Sequence, residues 1–367
     1  MRGIKPMVIF LVVGCFLTTI SAPSALATDW YSSDFGGDWD NSFTWKDSAG
    51  NPPPGGQPGE GDSAFLVVPY TFSDYPNYYQ PVSVFYRSDT NPLLNQVVIE
   101  SGNELWQWQY EYNGGTPTVE QLNLRSNVET IGGSGLTFDP PPPEFGGPPP
   151  VIFPIGTHMQ NAGTNSTGGL YVGGTEGSYG RYYLDNASDS TYGTLSVDSL
   201  EIIGSAGEGL FEQHGGVHEV GTALIMGMSG TGAGTYQMTD GTLDAAVEIV
   251  GSSGYGEFNQ SGGENTTNQL VVGQNPGGEG IYNLSGTGIL NVGTGIIGNE
   301  GEGTFNQSEG ENTVNNLVVG QNRIGVGVYN LSGTGILNVS AEIVGDEGKG
   351  TFNQNSGTHN AGALTVA

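Results

Sequence analysis

Apolar residues in this chain come in runs of about three to five, rich in Val, Ile, Phe and Tyr and punctuated by glycine. No stretch of helical length keeps apolar positions at a 3.6-residue spacing, so helical-hairpin repeats are excluded. Runs this short, β-branched or aromatic and glycine-bounded, predict short strands joined by tight turns that need a residue without Cβ.

The pattern has a period. Phe211, Phe258, Phe305 and Phe352 lie 47 residues apart, Tyr282 and Tyr329 share that spacing, and so do Gly204, Gly251, Gly298 and Gly345. The string YNLSGTGILNV occurs letter for letter at 282–292 and 329–339. Each 47-residue unit holds two related halves, GEGTFNQSEGENTVNNLVVG (301–320) and GVGVYNLSGTGILNVSAEIVG (325–345). The structural unit is therefore a coil of about 22–25 residues, enough for three short strands and three turns. This predicts an all-β fold: a right-handed, single-stranded parallel β-helix, or β-solenoid, whose coils stack at about 4.8 Å.

Stacking in register brings each side chain onto its equivalent one coil away. Phe211, Phe258, Tyr282, Phe305, Tyr329 and Phe352 are expected to form an aromatic ladder inside the solenoid. Gln260, Leu284, Gln307, Leu331 and Gln354 share their strand parity. Asn259, Asn283, Asn306, Asn330 and Asn353 fall between them and are expected to form an amide ladder on the outer face.

Composition divides the chain near residue 155. All five tryptophans lie between Trp30 and Trp108, and beyond Pro154 the only proline is Pro276. The expected organisation is a signal peptide (1–27), an aromatic-rich N-terminal β cap with the first irregular coils (28–138), a proline-rich linker or loop (139–155), and β-helix repeats (156–367). Arg2 and Lys5 precede the apolar segment Met7–Ile20, and ALA at 25–27 offers a cleavage site before Thr28. The apolar segment is too short for a comfortable membrane span, so a secreted or cell-surface chain without a transmembrane segment is expected. VVGC at 12–15 resembles a lipoprotein box, but cleavage after Ala27 is preferred because lipidation of Cys15 would leave an unusually apolar new N-terminus. Cys15 is the sole cysteine, so the mature chain is expected to have no disulfide. With 8 Lys+Arg against 37 Asp+Glu, neither a phosphate-tracking groove nor a polybasic anchor can be built, which excludes nucleic acid as a partner.

The repeats GTFNQSEGENTVNNLVVG and GVYNLSGTGILNV resemble those of exported bacterial β-helix proteins: autotransporter passenger domains, haemagglutinin-like adhesins, and repeat proteins with a PEP-CTERM sorting signal. GGDWDNSFTW (36–45) and PGEGDSAFLV (58–67) resemble the tryptophan-rich opening that often precedes such helices. The resemblance implies surface display and adhesion, with an extracellular polysaccharide or another cell-surface protein as partner. A C-terminal barrel and a sorting tail are both missing from the pattern, and the chain stops at GALTVA, one residue short of the next repeat glycine. A truncated product, or a terminus capped by another chain, is expected.

Candidate chemistry is sparse. The GTG of the repeated string leads into the strand ILNV rather than a helix, so it is no phosphate loop. His214 and His218 have the spacing of two helical zinc ligands, but on strand and turn they diverge, and His218 aligns with Asn265, Asn312 and His359 as a ladder variant. Glu264 and Glu311, and Glu201, Glu248 and Glu342, form acidic columns. Such rows offer hard oxygens to calcium, but the G-G-x-G-x-D repeat is absent, so a solvated acidic face is expected and no cofactor is assigned. Polysaccharide lyases and glycosidases use related scaffolds, yet the basic residues here are scattered singly and no adjacent Asp pair occurs, so no enzyme is expected and no catalytic residue is named. In LWQWQYEY (105–112), Trp106, Trp108, Tyr110 and Tyr112 share one strand face. Facing outward they form a platform for sugar rings; facing inward they plug the solenoid, the reading that strand alternation favours.

Overall fold

The computed structural model describes residues 29–32, 37–38, 45–47, 49, 51–53, 57–66, 83–86, 88, 92–99, 104–107, 124–132, 155–187 and 191–367. Among these the secondary structure is entirely β, with no helix. The chain is a β-solenoid of about nine turns. Each well-formed turn pairs a six-residue strand, such as Tyr255–Gln260, with a nine-residue strand, such as Glu264–Val272. Among the described residues the six-residue strands belong to a twelve-stranded sheet and the nine-residue strands to a nineteen-stranded one.

Coil-to-coil pairing is parallel and does not slip. Phe258 pairs with Tyr282, Tyr282 with Phe305, Phe305 with Tyr329, and Tyr329 with Phe352. In the nine-residue strands two paired runs flank one residue without a partner, namely Ala246, Asn268, Gly293, Asn315 and Ser340 in successive coils. That residue is the corner between two of the three strands expected from the coil length. In an earlier coil the same corner takes two residues, Gly221 and Thr222, and the strands Val217–Val220 and Ala223–Met226 stay separate.

Glycine recurs at two positions for different reasons. Gly251 turns the corner with φ of 74°, and a Cβ there would also lie 2.1 Å from the Glu279 carbonyl oxygen. The second residue of each short strand is Gly256, Gly280, Gly303, Gly327 or Gly350, where the two walls of the coil approach too closely for any side chain; a Cβ on Gly327 would sit 2.0 Å from the Ile297 carbonyl oxygen.

The short strands alternate half-buried and buried positions, so one face lines the core. Buried aromatic, Leu and Val side chains make one continuous cluster from Trp30 to Val339. Ile202, Ile225, Ile249, Val271 and Ile296 form a second, smaller cluster along the last strand segment of each coil. The two compositional halves share the same sheets: Glu104–Gln107 pairs with Ile155–Gln160, and Glu129–Ile131 with Leu170–Val172. The proline-rich tract to residue 154 lies outside the described residues, as do residues 1–28, where a signal peptide is expected. Among the described residues, no helix is long and apolar enough to cross a membrane.

Candidate functional site: a polar core column and an open groove

Inside the solenoid, Tyr182, Phe211, Tyr236, Phe258, Tyr282, Phe305, Tyr329 and Phe352 form one stack of nearly parallel rings, with centroids 4.6–5.2 Å apart. Tyrosine and phenylalanine alternate strictly, and the rest of the core follows. Phe coils carry Gln213, Gln260 and Gln307 two residues on, where Tyr coils carry Leu184, Met238, Leu284 and Leu331. Phe coils place His218, Asn265 or Asn312 on the next strand, where Tyr coils place Leu243, Leu290 or Leu337.

The alternation makes each coil chemically complementary to the one after it. The Tyr282 hydroxyl donates to Gln260 Oε1 at 2.8 Å and accepts from Asn265 Nδ2 at 3.1 Å. Tyr329 makes the same pair of bonds with Gln307 and Asn312, and Tyr236 with Gln213 and His218. The glutamine amide in turn donates to backbone carbonyls at the corner, as Gln260 does to Gly263 and Ile289. Slipping one coil against the next would set tyrosine hydroxyls against leucines and strand these buried groups, so the column holds the register.

One acidic column was expected to be solvated, and the structure corrects this: Glu201, Glu248 and Glu342 are buried, at 0%, 0% and 2% exposure. Glu248 and Glu342 sit beyond the one-residue corner of the long strand, which changes which positions face inward, whereas Glu201 follows a two-residue corner, Asp198 and Ser199, and faces inward in step with Leu195 and Val197. Three coils handle the buried carboxyl in two ways, with a histidine or with an asparagine. Glu201 pairs with His218 Nε2 at 2.7 Å, and Glu342 lies 2.8 Å from His359. Glu248 has only Asn265 Nδ2, at 3.1 Å, and burial pushes its carboxyl up to about 8, with Asn265 opposing the shift. The fourth equivalent is Gly295, which carries no carboxyl. Nearer the N-terminus Glu129 contacts His158 at 2.5 Å and Asn165 at 2.7 Å. Glu264 and Glu311 do face solvent, where they accept from Asn291 and Asn338.

The outer face of the short-strand sheet carries the amides. Asn283 donates to Asn259, Asn306 to Asn283, Asn330 to Asn306 and Asn353 to Asn330, at 2.8–2.9 Å. Towards the N-terminus the ladder gives way to irregular residues around an open concavity of about 410 Å³. Its lining includes Tyr179, Glu208, Leu210, Thr235, Glu257 and Asn259. The small Ala233 and Thr235 form its low point, between Glu208 and Leu210 on one neighbouring coil and Tyr255 and Glu257 on the other, with Tyr179 and Arg181 one coil beyond Glu208 and Leu210.

The two histidines with the spacing of zinc ligands part company: His218 points into the core, while His214 bonds the Thr239 hydroxyl at 2.9 Å. Among the described residues no group of three or more potential ligands could hold a metal ion. Of the four-aromatic segment, Trp106 occupies the strand position between the buried Leu105 and Gln107, in register with Met159, while Trp108, Tyr110 and Tyr112 lie outside the described residues. The groove had no signal in the repeat pattern, because its shape comes from outward positions whose residue type changes from coil to coil, as Leu210, Thr235 and Glu257 do on one column.

The fold thus defines a parallel β-solenoid with a polar core column. No family model matches the chain, and neither a curated protein nor a solved structure shows significant similarity to it.

Proposed function

We propose that this chain is a secreted or cell-surface structural and adhesive protein of the envelope or extracellular matrix, in which the solenoid acts as a stiff spacer. The observation that carries the reading is the unslipped parallel pairing from Ile155 to Val366, bonded both through the core column and along the outer amide ladder. Such a stack hides its sheet edges along its whole length, and its net charge of −29 keeps neighbouring particles apart. The kinship with autotransporter passengers, haemagglutinin-like adhesins and PEP-CTERM-type proteins belongs to this reading, and rests on the wording of the repeats.

Expression of the full chain in a bacterial host tests it. The expected result is a product outside the cytoplasm that begins at Thr28 by mass spectrometry, and that increases retention of displaying cells on a polysaccharide-coated surface. Cytoplasmic retention with Met1 intact would overturn export, and unchanged cell retention would overturn adhesion.

A further inference from the structure

We propose that the groove across the outer face of the short-strand sheet, from Tyr179 to Asn259, binds an oligosaccharide of uncharged or amino-bearing sugars. The inference goes beyond the spacer role and does not depend on it. Three coil steps separate Tyr179 from the coil of Glu257 and Asn259, about 14 Å at the usual strand spacing, which suits a short run of sugar rings. The groove is shallow and open, so it fits an extended hydroxylated chain better than a compact apolar molecule.

Its chemistry is also that of a sugar site. The half-buried Tyr179 ring and Leu210 offer an apolar surface for the C–H face of a pyranose, and Gln237 offers a planar amide that both donates and accepts. Glu257 is held in place, since its carboxylate accepts from the Tyr255 hydroxyl at 2.9 Å and from Asn259 Nδ2 at 3.1 Å. Ordering those groups before a ligand arrives lowers the cost of binding.

Charge sets the class of sugar. Glu208 and Glu257 line the groove. The nearby cation, Arg181, is paired through Nε to Glu212 and lies over the Tyr183 ring at 5.6 Å. A uronate would therefore meet carboxylates with the neighbouring cation already engaged, whereas hydroxyl and ammonium groups meet acceptors.

The test is calorimetric titration of the full chain with cellohexaose, chitohexaose, the chitosan hexamer and hexagalacturonate, with hexalysine as a non-sugar cation. Thr235→Trp fills the floor of the groove, and Thr304→Trp places the same bulk on the same column outside it. Tyr179→Ala removes the stacking ring from an outward position and serves as a second variant if T235W does not fold. The expected result is binding of at least one uncharged or amino-sugar hexamer, weakened about tenfold or more by T235W and Y179A and unchanged by T304W, with no hexagalacturonate binding. No binding of any of the first three hexamers overturns the proposal. So does equal binding by all variants, a preference for hexagalacturonate, or binding of hexalysine alone. Export and adhesion are read on whole cells with the unaltered chain, so failure here and failure there are separate results.

Discussion

Replacing Glu248 with glutamine should make the protein more stable at neutral and alkaline pH while leaving it unchanged in acid. The Glu248 side chain is fully buried, its one hydrogen bond comes from Asn265, and its Oε1 has no partner. Burial raises its pKa from an ordinary 4.5 to about 8. Between those values the native state holds a proton that the unfolded chain has released. The favourable contribution is therefore fully present below about 4.5 and is lost as pH rises through about 8. A difference of about 3.5 between the two pKa values, at about 1.4 kcal/mol each, amounts to about 5 kcal/mol over the whole range and about 3 kcal/mol by pH 7. Glutamine has the shape of the protonated acid and does not titrate. E248Q should thus match the wild type at pH 4, exceed it by about 3 kcal/mol at pH 7, and exceed it by about 5 kcal/mol at pH 9. Long repeat arrays need not unfold in one step, so amide hydrogen exchange over Thr242–Val250 and Glu264–Val272 is the suitable assay. Comparing the two proteins at the same pH cancels the intrinsic exchange rate. Protection that differs by the same amount at pH 4 and pH 9 would refute the reasoning.

Four further substitutions probe the other parts of the scaffold. Tyr282→Phe removes the hydroxyl between Gln260 and Asn265 and leaves both amides short of a buried partner, which should cost about 2–4 kcal/mol in denaturant unfolding. Gly327→Ala puts a methyl 2.0 Å from the Ile297 carbonyl oxygen and should cost at least about 3 kcal/mol, or prevent folding. Gly277→Ala has open space but a φ of 85°, and should cost only about 1 kcal/mol by thermal unfolding, so the pair separates steric from conformational need. Asn306→Ala breaks two rungs of the outer ladder, to Asn283 and from Asn330, and should lower stability by about 1 kcal/mol while leaving the circular dichroism spectrum intact.

The repeat made much of the architecture legible in advance. An exact 47-residue period with an aromatic, an asparagine and a glycine at set offsets is enough to infer stacked coils, since only in-register stacking lets identical residues serve identical contacts. The inward Phe305 and Tyr329 and the outward Asn306 and Asn330 follow from strand alternation alone. Polarity misled for Glu201, Glu248 and Glu342, all of which are buried. In EIIG and EIVG a charged residue precedes aliphatics, and simple polarity assigns it to water. For Glu248 and Glu342 burial depends on the one-residue corner upstream, which shifts the parity of the strand segment beyond it and leaves no mark in composition.

The sequence by itself determined the coil, its length and the residues that stack, because these are local and repeated. Tertiary structure alone decided how neighbouring coils complete one another. The Tyr282 hydroxyl is satisfied by Gln260 and Asn265 of the preceding coil, and Glu248 is left nearly alone by an asparagine where Glu201 meets a histidine. The groove is a product of the same kind, made where Tyr179, Thr235 and Glu257, far apart in the chain, are brought onto one face of neighbouring coils. Hydrogen bonding, desolvation and surface shape depend on atoms a full coil apart, and a linear pattern does not carry that distance.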